Sequence, residues 1–254
     1  MRRRDQSIGQ QLRATHFIEG SVRKAGDRVR ITAQLIKAED GTHIWTENYE
    51  RQLTDALVFS PKAKYVYVGR DARDVFWSWY HHHSIFTEAA YQLMNPPDRT
   101  WPEFPRLDPD IRNAYNEWLD KDGYPVFPFW SDVQSWWDIR LLPNVKLIHF
   151  NGLRADLPSA IRDIAGYLDI AIDEAAFPKI LEHCSLEFMR KCAPKSSVLD
   201  VIFQGGGNFI NKGTNGRWKD VLSAEDSAKC DQEAAKHLSP DCAHWLKTGE
   251  LTSG

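Results

Sequence analysis

Long apolar segments are missing from this 254-residue sequence. A helix that crosses a membrane needs roughly 20 consecutive apolar residues. The basic start, Met1 to Arg4, is followed by no apolar run. We therefore expect neither a signal peptide nor a membrane anchor there, and no membrane partner.

Cysteine is also scarce, with four residues and no CxxC pair. No histidine lies at a convincing zinc-ligand spacing from Cys184, Cys192, Cys230 or Cys242. This pattern favours reduced thiols in a cytoplasmic protein without a metal site. The run His81-His82-His83 does not change this interpretation, because consecutive helical residues point about 100° apart and cannot all face one ion. A helix-end cluster or an acceptor-pocket histidine is the expectation for this run.

An excess of positive charge is absent as well. The formal net charge is −3, which argues against general nucleic-acid binding. Hydrophobic residues at 42% and aromatic residues at 12% are typical of a globular protein with a sizeable core.

The most informative segment is residues 64–83, KYVYVGRDARDVFWSWYHHH. Residues 64–68 form an apolar, β-branched and aromatic run that predicts a buried strand ending at Gly69. Asp71 can cap a following helix, and Asp74 suits its first turn. An arginine such as Arg70, between a buried strand and a helix N-terminus, suits an anion. On local pattern alone, a salt-bridged corner is an equal alternative.

This segment resembles the part of sulfotransferases that binds the 3′-phosphate of PAPS, 3′-phosphoadenosine 5′-phosphosulfate. In that family an arginine follows the strand and a serine lies eight residues later. Arg70 and Ser78 occupy those two positions. The resemblance implies that a guanidinium and a hydroxyl hold the phosphate, with PAPS as co-substrate and no metal.

A late loop resembles a second motif of the same family, RKGxxGxWK. The matching stretch is residues 209–219, FINKGTNGRWK, in which Asn211 stands where the family has an arginine. The resemblance implies that Phe209, Asn211, Lys212 and Gly213 contact the nucleotide. Glycines there would let backbone N–H groups approach a phosphate closely.

The stretch HCSLEFMR resembles the family segment that flanks the adenine ring. The resemblance implies nucleotide contacts from Cys184, Ser185 and Met189, with Leu186 beside them. Ordinary core packing is the alternative for the leucine and the methionine. Residues 85–130, rich in aromatic residues and proline, are implied to supply part of an acceptor pocket, or else form a packed Trp-rich loop layer.

The first fifty residues have a different character. Three strand-like runs, residues 16–23, 28–37 and 42–50, are separated by turn signals around Gly26 and Gly41. They resemble the TolB-like domain found between the cyclase and tetratricopeptide parts of bacterial signalling proteins. We therefore predict two domains, a β-rich fragment over 1–52 and a sulfotransferase domain over 53–254.

Two family motifs have no counterpart in this sequence. These are the PKSGTTW-type loop, which holds the 5′-phosphosulfate, and the KTHLP-like stretch, whose histidine is the general base. The predicted fold is therefore α/β, a truncated P-loop-like sulfotransferase fold with a parallel sheet flanked by helices, preceded by a small antiparallel β-hairpin segment. No catalytic residue is identifiable from the motifs.

Three functions remain open at this stage. The first is an enzyme that transfers a sulfuryl group from PAPS to a small-molecule hydroxyl or amine acceptor. Alternatively it is a non-catalytic module that binds adenosine 3′,5′-bisphosphate or a protein partner. The third reading is a genomic fusion fragment, whose truncated sheet would leave open strand edges and favour aggregation.

Overall fold

The computed structural model describes residues 16–25, 28–37, 43–52, 63–99, 102–125, 128–193 and 197–252. The predicted turns around Gly26 and Gly41, and the first residues of the predicted second domain, lie outside these ranges. The chain forms two compact units, Met1–Ala63 and Lys64–Gly254. The assignment of the first unit to a TolB-like domain stays a prediction.

The first unit contains an antiparallel sheet of three strands in the order β1 (His16–Ala25), β2 (Arg28–Lys37) and β3 (His43–Gln52). Its register pairs His16 with Lys37 and Arg28 with Gln52. The pairing of β2 with β3 shifts between Leu35 and Ile36, an irregularity of the kind that locally bends a strand. The three predicted strand runs are thus observed in the backbone.

The second unit is built around two parallel strands, β4 (Tyr65–Gly69) and β5 (Val145–His149), whose register pairs Tyr65 with Val145. Parallel strands need a crossover connection, and here the connection carries the helices that make up most of the core. The α/β class with a parallel sheet flanked by helices is therefore confirmed.

The helices between the two strands are α1 (Ala72–Ser84), α2 (Glu88–Met94), α3 (Ile111–Asp120) and α4 (Phe129–Asp138). After β5 come α5 (Phe150–Ala155), α6 (Leu157–Tyr167), α7 (Phe177–His183), α8 (Leu186–Cys192), α9 (Ser197–Ile202), α10 (Ala224–His237) and α11 (Pro240–Thr248). Short 3₁₀ turns cover Gly206–Phe209 and Arg217–Asp220.

The sequence over residues 132–142, with Val133, Trp136, Trp137 and Arg140 in helical order, predicts a helix there, but α4 begins at Phe129. The helix begins three residues earlier because Asp122 satisfies its first backbone donors. The Phe129 N–H donates to the Asp122 carbonyl at 2.9 Å, and the Trp130 N–H donates to Asp122 Oδ1 at 2.7 Å. A partner seven to eight residues upstream leaves no periodic signal in the sequence.

The core lies among α1, α3, α4, α10 and α11 and consists largely of aromatic side chains. Phe76 is fully buried, and its ring meets the Tyr115 ring edge-on at 5.0 Å between centroids. Aromatic pairs of this kind stabilise a fold beyond the area they bury. The same core contains Trp118, Trp130, Trp137 and Trp245. These packed rings hold α1, which follows the end of β4, against the other helices.

Candidate functional site

Arg70 lies where β4 has ended and α1 has not yet begun. Asp71 caps the helix, because its side chain accepts a hydrogen bond from the Arg73 N–H at 2.9 Å. The Arg70 guanidinium lies over the Phe150 ring at 4.3 Å. Burial lowers the pKa of Arg70 from its ordinary value, while the carboxylates of Asp74 and Asp71 oppose the shift. A partly buried cation in this position favours an anionic ligand.

The loop over residues 211–216 is tied to the same corner. Arg70 Nε donates to Asn215 Oδ1 at 3.0 Å, and Arg70 Nη2 donates to the Thr214 carbonyl at 3.2 Å. The Gly216 N–H donates to Asp74 Oδ1 at 2.7 Å. Gly216 adopts a left-handed φ of 79°, which glycine reaches without strain. These bonds bring the two sequence motifs together.

Two further arginines hold the backbone of this loop. Arg154 of α5 donates to the Gly213 carbonyl. Arg190 of α8 donates to the Asn211 carbonyl at 2.8 Å and to the Ile210 carbonyl at 3.3 Å. These hydrogen bonds hold the backbone of residues 210–213 against α5 and α8.

Between α1, α8 and this loop lies an open cleft of about 200 Å³. The cleft brings together six of the nine site residues expected from the sequence: Arg70, Ser78, Met189, Phe209, Asn211 and Gly213. The guanidinium groups of Arg70 and Arg217 both line it, and no carboxylate is among its described lining residues. Its walls therefore combine positive charge with apolar and aromatic surface, which suits a nucleotide phosphate and base.

The other three expected residues do not line the cleft. Cys184 is exposed at the end of α7. Ser185 caps α8, and its hydroxyl accepts a hydrogen bond from the Phe188 N–H at 3.1 Å. The Lys212 side chain is exposed, and its N–H donates to Asn211 Oδ1 at 2.8 Å.

Several cleft residues were not expected from the sequence: Trp77, Ile210, Thr214, Arg217 and His82. The Arg217 guanidinium lies over the Trp77 ring at 5.3 Å. Ile210, Thr214 and Arg217 lie within residues 209–219, so membership of that motif was the signal that could have identified them. Trp77 is an ordinary helix position with no such signal, and His82 belongs to the histidine run for which an acceptor-pocket role was one expectation.

A larger cavity of about 810 Å³ lies on the other side of His82. Its described walls are mostly apolar and aromatic: Trp79, Phe86, Leu93, Met94, Phe104, Tyr124 and Phe203, with Glu103 among the polar residues. This size and lining are typical of a site for a small apolar molecule. Parts of residues 85–130 thus line this cavity, and their role in acceptor binding stays a prediction.

The three consecutive histidines have separate surroundings. His81 Nε2 is 3.3 Å from the Asn208 carbonyl, and His82 Nε2 is 3.1 Å from the Phe209 carbonyl. His83 is buried among aromatic rings, including Trp79 and Phe104, and burial lowers its pKa to about 4. Within the described ranges, no three or more His, Cys, Asp or Glu side chains are grouped so as to hold a metal ion.

No helix among the described residues is long and apolar enough to cross a bilayer.

Comparison with protein families gives a match to the sulfotransferase domain over residues 17–240. Sulfotransferase 2A6 of Rattus norvegicus is 26% identical over 216 residues, which cover 83% of this chain and 70% of that protein. Luciferin sulfotransferase of Photinus pyralis is 27% identical, with 70% of this chain and 45% of that protein covered. The chain spans between 62 and 70% of the length of the first three curated relatives.

Two solved structures have a similar fold. A mouse sulfotransferase in complex with PAP superposes with a TM-score of 0.55 at 19% identity, covering 72% of this chain and 61% of that chain. Retinol dehydratase in complex with retinol and PAP gives a TM-score of 0.53 at 24% identity, covering 70% of this chain and 48% of that chain.

Proposed function

Since the chain belongs to the sulfotransferase domain family, which it matches over residues 17–240, we propose that it binds PAPS and transfers the sulfuryl group to a small molecule. The acceptor group is a hydroxyl or an amine. The activity, the co-substrate and the acceptor are proposals, because the relatives extend well beyond the part that this chain matches.

One observation supports this proposal above the others. Arg70 and Ser78, which the family pattern assigns to the 3′-phosphate, line one cleft together with Phe209 and Gly213 from the other end of the chain. Sequence motifs about 140 residues apart therefore meet at a positively charged cleft. A guanidinium, a hydroxyl and a glycine loop are suitable partners for a phosphate dianion.

The protein would promote sulfuryl transfer mainly by positioning the nucleotide and the acceptor next to each other. In a sulfuryl transfer, the acceptor oxygen or nitrogen attacks sulfur while the bond from sulfur to the 5′-phosphate oxygen breaks, as in phosphoryl transfer. The nucleotide would lie in the cleft, held through Arg70 and Ser78. The acceptor would occupy the neighbouring aromatic cavity, against its apolar walls.

A second candidate function, nucleotide binding without sulfate transfer, rests on two family motifs that do not occur in this sequence. No PKSGTTW-type loop and no KTHLP-like histidine stretch occurs in it. A positioned base and a phosphosulfate-binding loop each contribute roughly 10²-fold or more to a rate. The alternative is therefore a protein that binds adenosine 3′,5′-bisphosphate without transferring sulfate. The truncated architecture, the TolB-like first domain and the cytoplasmic location stay predictions.

Calorimetry with adenosine 3′,5′-bisphosphate tests the nucleotide site. Arg70→Ala should weaken binding about 10- to 100-fold, the range expected when charge-assisted hydrogen bonds are lost. Arg70→Lys keeps the charge but loses the bidentate geometry, so it should recover only part of the affinity. Arg162→Ala is the matched control, because Arg162 pairs with Glu174 away from the cleft.

Binding by the unaltered protein that Arg70→Ala leaves unchanged would contradict the proposed site. A transfer assay with labelled PAPS and phenolic, alcoholic and amine acceptors then separates the two functions. Sulfated product that disappears in Arg70→Ala supports the enzyme. Nucleotide binding without any product supports the non-catalytic alternative.

A further inference from the structure

His82 occupies an unusual position in α1. Among the described residues it is the one that lines both the nucleotide cleft and the aromatic cavity. Its ring stacks on the Phe209 ring, with 4.9 Å between centroids and 19° between planes. The imidazole is thus held in the wall between the two proposed ligand sites.

The hydrogen bond of His82 defines which ring nitrogen carries the hydrogen. His82 Nε2 lies 3.1 Å from the Phe209 carbonyl oxygen, and a carbonyl can only accept. In the neutral ring Nε2 therefore donates, and Nδ1 keeps its lone pair. Within the described part of the chain, Nδ1 bonds no other group. It is also not among the solvent-sealed unpaired atoms, unlike both ring nitrogens of His83.

We propose that His82 receives the acceptor's hydroxyl group, holding it through Nδ1 at the wall between the aromatic cavity and the nucleotide cleft. This inference rests on the proposed function. It assigns a role to one member of the histidine run, for which the sequence left a helix-end cluster and an acceptor-pocket histidine open.

In the transfer step, His82 accepts the proton of the acceptor's hydroxyl group. The acceptor oxygen forms a bond to sulfur, and the bond from sulfur to the 5′-phosphate oxygen breaks, leaving its electron pair on adenosine 3′,5′-bisphosphate. The hydroxyl proton moves to Nδ1, and the resulting imidazolium keeps its Nε2–H bond to the Phe209 carbonyl. Water later removes the proton.

The surroundings of His82 keep its ring neutral near pH 7. Burial lowers the pKa of His82, the Phe209 carbonyl opposes this, and His81 on the same helix lowers it further. Apart from His82, the ionisable groups among the described lining residues are Arg70 and Arg217 in the cleft and Glu103 and Tyr124 in the aromatic cavity. A neutral imidazole can accept a hydroxyl hydrogen bond, whereas an imidazolium cannot.

The experiment measures the binding of 2-naphthol to the full chain saturated with adenosine 3′,5′-bisphosphate. His82→Phe preserves a ring that can stack on Phe209 but removes the nitrogen. Its affinity for 2-naphthol should fall about 3- to 10-fold, as for one lost hydrogen bond. His81→Phe is the matched control, because His81 makes a similar carbonyl contact but lines neither cavity.

Two further readouts separate a hydroxyl contact from simple packing. Binding of 2-methoxynaphthalene, which has no hydroxyl hydrogen, should be the same in all three proteins. Binding of 2-naphthol to the unaltered protein should weaken as the pH falls through the pKa of His82, and this dependence should vanish in His82→Phe. In the transfer assay, His82→Phe should lower kcat while the KM for PAPS is unchanged.

Equal 2-naphthol affinity in His82→Phe and the unaltered protein would overturn the inference, as would an equal loss in His81→Phe. Failure of 2-naphthol to bind while adenosine 3′,5′-bisphosphate binds would also overturn it, but would leave the nucleotide site standing. Failure of the nucleotide itself to bind would remove the proposed function and this inference with it.

Discussion

Gly69, the last residue of β4, lies against the edge of a buried tryptophan and directly precedes Arg70. A Cβ atom at Gly69 would lie 2.3 Å from Cη2 and 2.7 Å from Cζ3 of Trp245. Trp245 is only 4% exposed and packs against the rings of Trp137 and His149. The change Gly69→Ala therefore forces either the strand end or the indole to move.

The expected cost of Gly69→Ala follows from this contact. Inserting a methyl group into a closely packed core typically costs about 1–3 kcal/mol of unfolding free energy. Gly166→Ala in α6 is the matched control, because nothing lies within 4 Å of its added Cβ. There the change should stabilise the protein by about 0.5–1 kcal/mol, since alanine is the better helix former.

Urea unfolding of the two variants and the unaltered protein measures the effect. The two midpoints should move in opposite directions with an unchanged slope. Because Gly69→Ala also displaces the strand end that carries Arg70, it should weaken the binding of adenosine 3′,5′-bisphosphate. Equal stability of Gly69→Ala and Gly166→Ala would refute the packing argument.

Three other predictions concern buried polar groups. Because burial lowers the pKa of His83 to about 4, the unfolded chain binds its proton more readily. Stability should therefore fall as the pH decreases from about 6.5 to about 4. His83→Phe should remove that loss in urea midpoints across this window. Asp226→Ala removes one half of the capping box of α10 and the partner of Arg112. It should cost about 1–3 kcal/mol by the same assay, and an unchanged midpoint would contradict it. A thiol reagent should label the exposed Cys184 and Cys192 in the folded protein. It should label Cys230 and Cys242 only after unfolding, because both are buried and burial raises the pKa of each thiol to about 12. Rapid labelling of all four would refute this.

Local patterns predicted much of the fold. The apolar run before Gly69 became β4, and Asp71 caps α1 as its residue type indicated. These features depend on neighbours within a few residues, and periodicity reports such neighbours directly. The start of α4 was predicted wrongly because its partner, Asp122, lies in the preceding turn.

At the candidate site, the motifs predicted which residues lie together but not how each side chain is placed. The motif resemblance identified Arg70, Ser78 and Gly213, and the structure brings them to one cleft. It could not indicate that the Lys212 side chain is exposed outside the lining of that cleft, or that Arg217 lines it. A loop with glycines at positive φ can direct its side chains in many ways, and packing selects one of them.

The sequence by itself determined the family, the strand-to-helix corner that carries Arg70, and the residue types available for a phosphate. The tertiary structure alone decided that Asp74 binds the Gly216 N–H across 142 residues of chain, and that His82 stands between two cavities. The physical reason is that such contacts depend on how elements distant in sequence pack against each other. The spacing of residues along a helix shows which residues share a face, but not which element packs against that face.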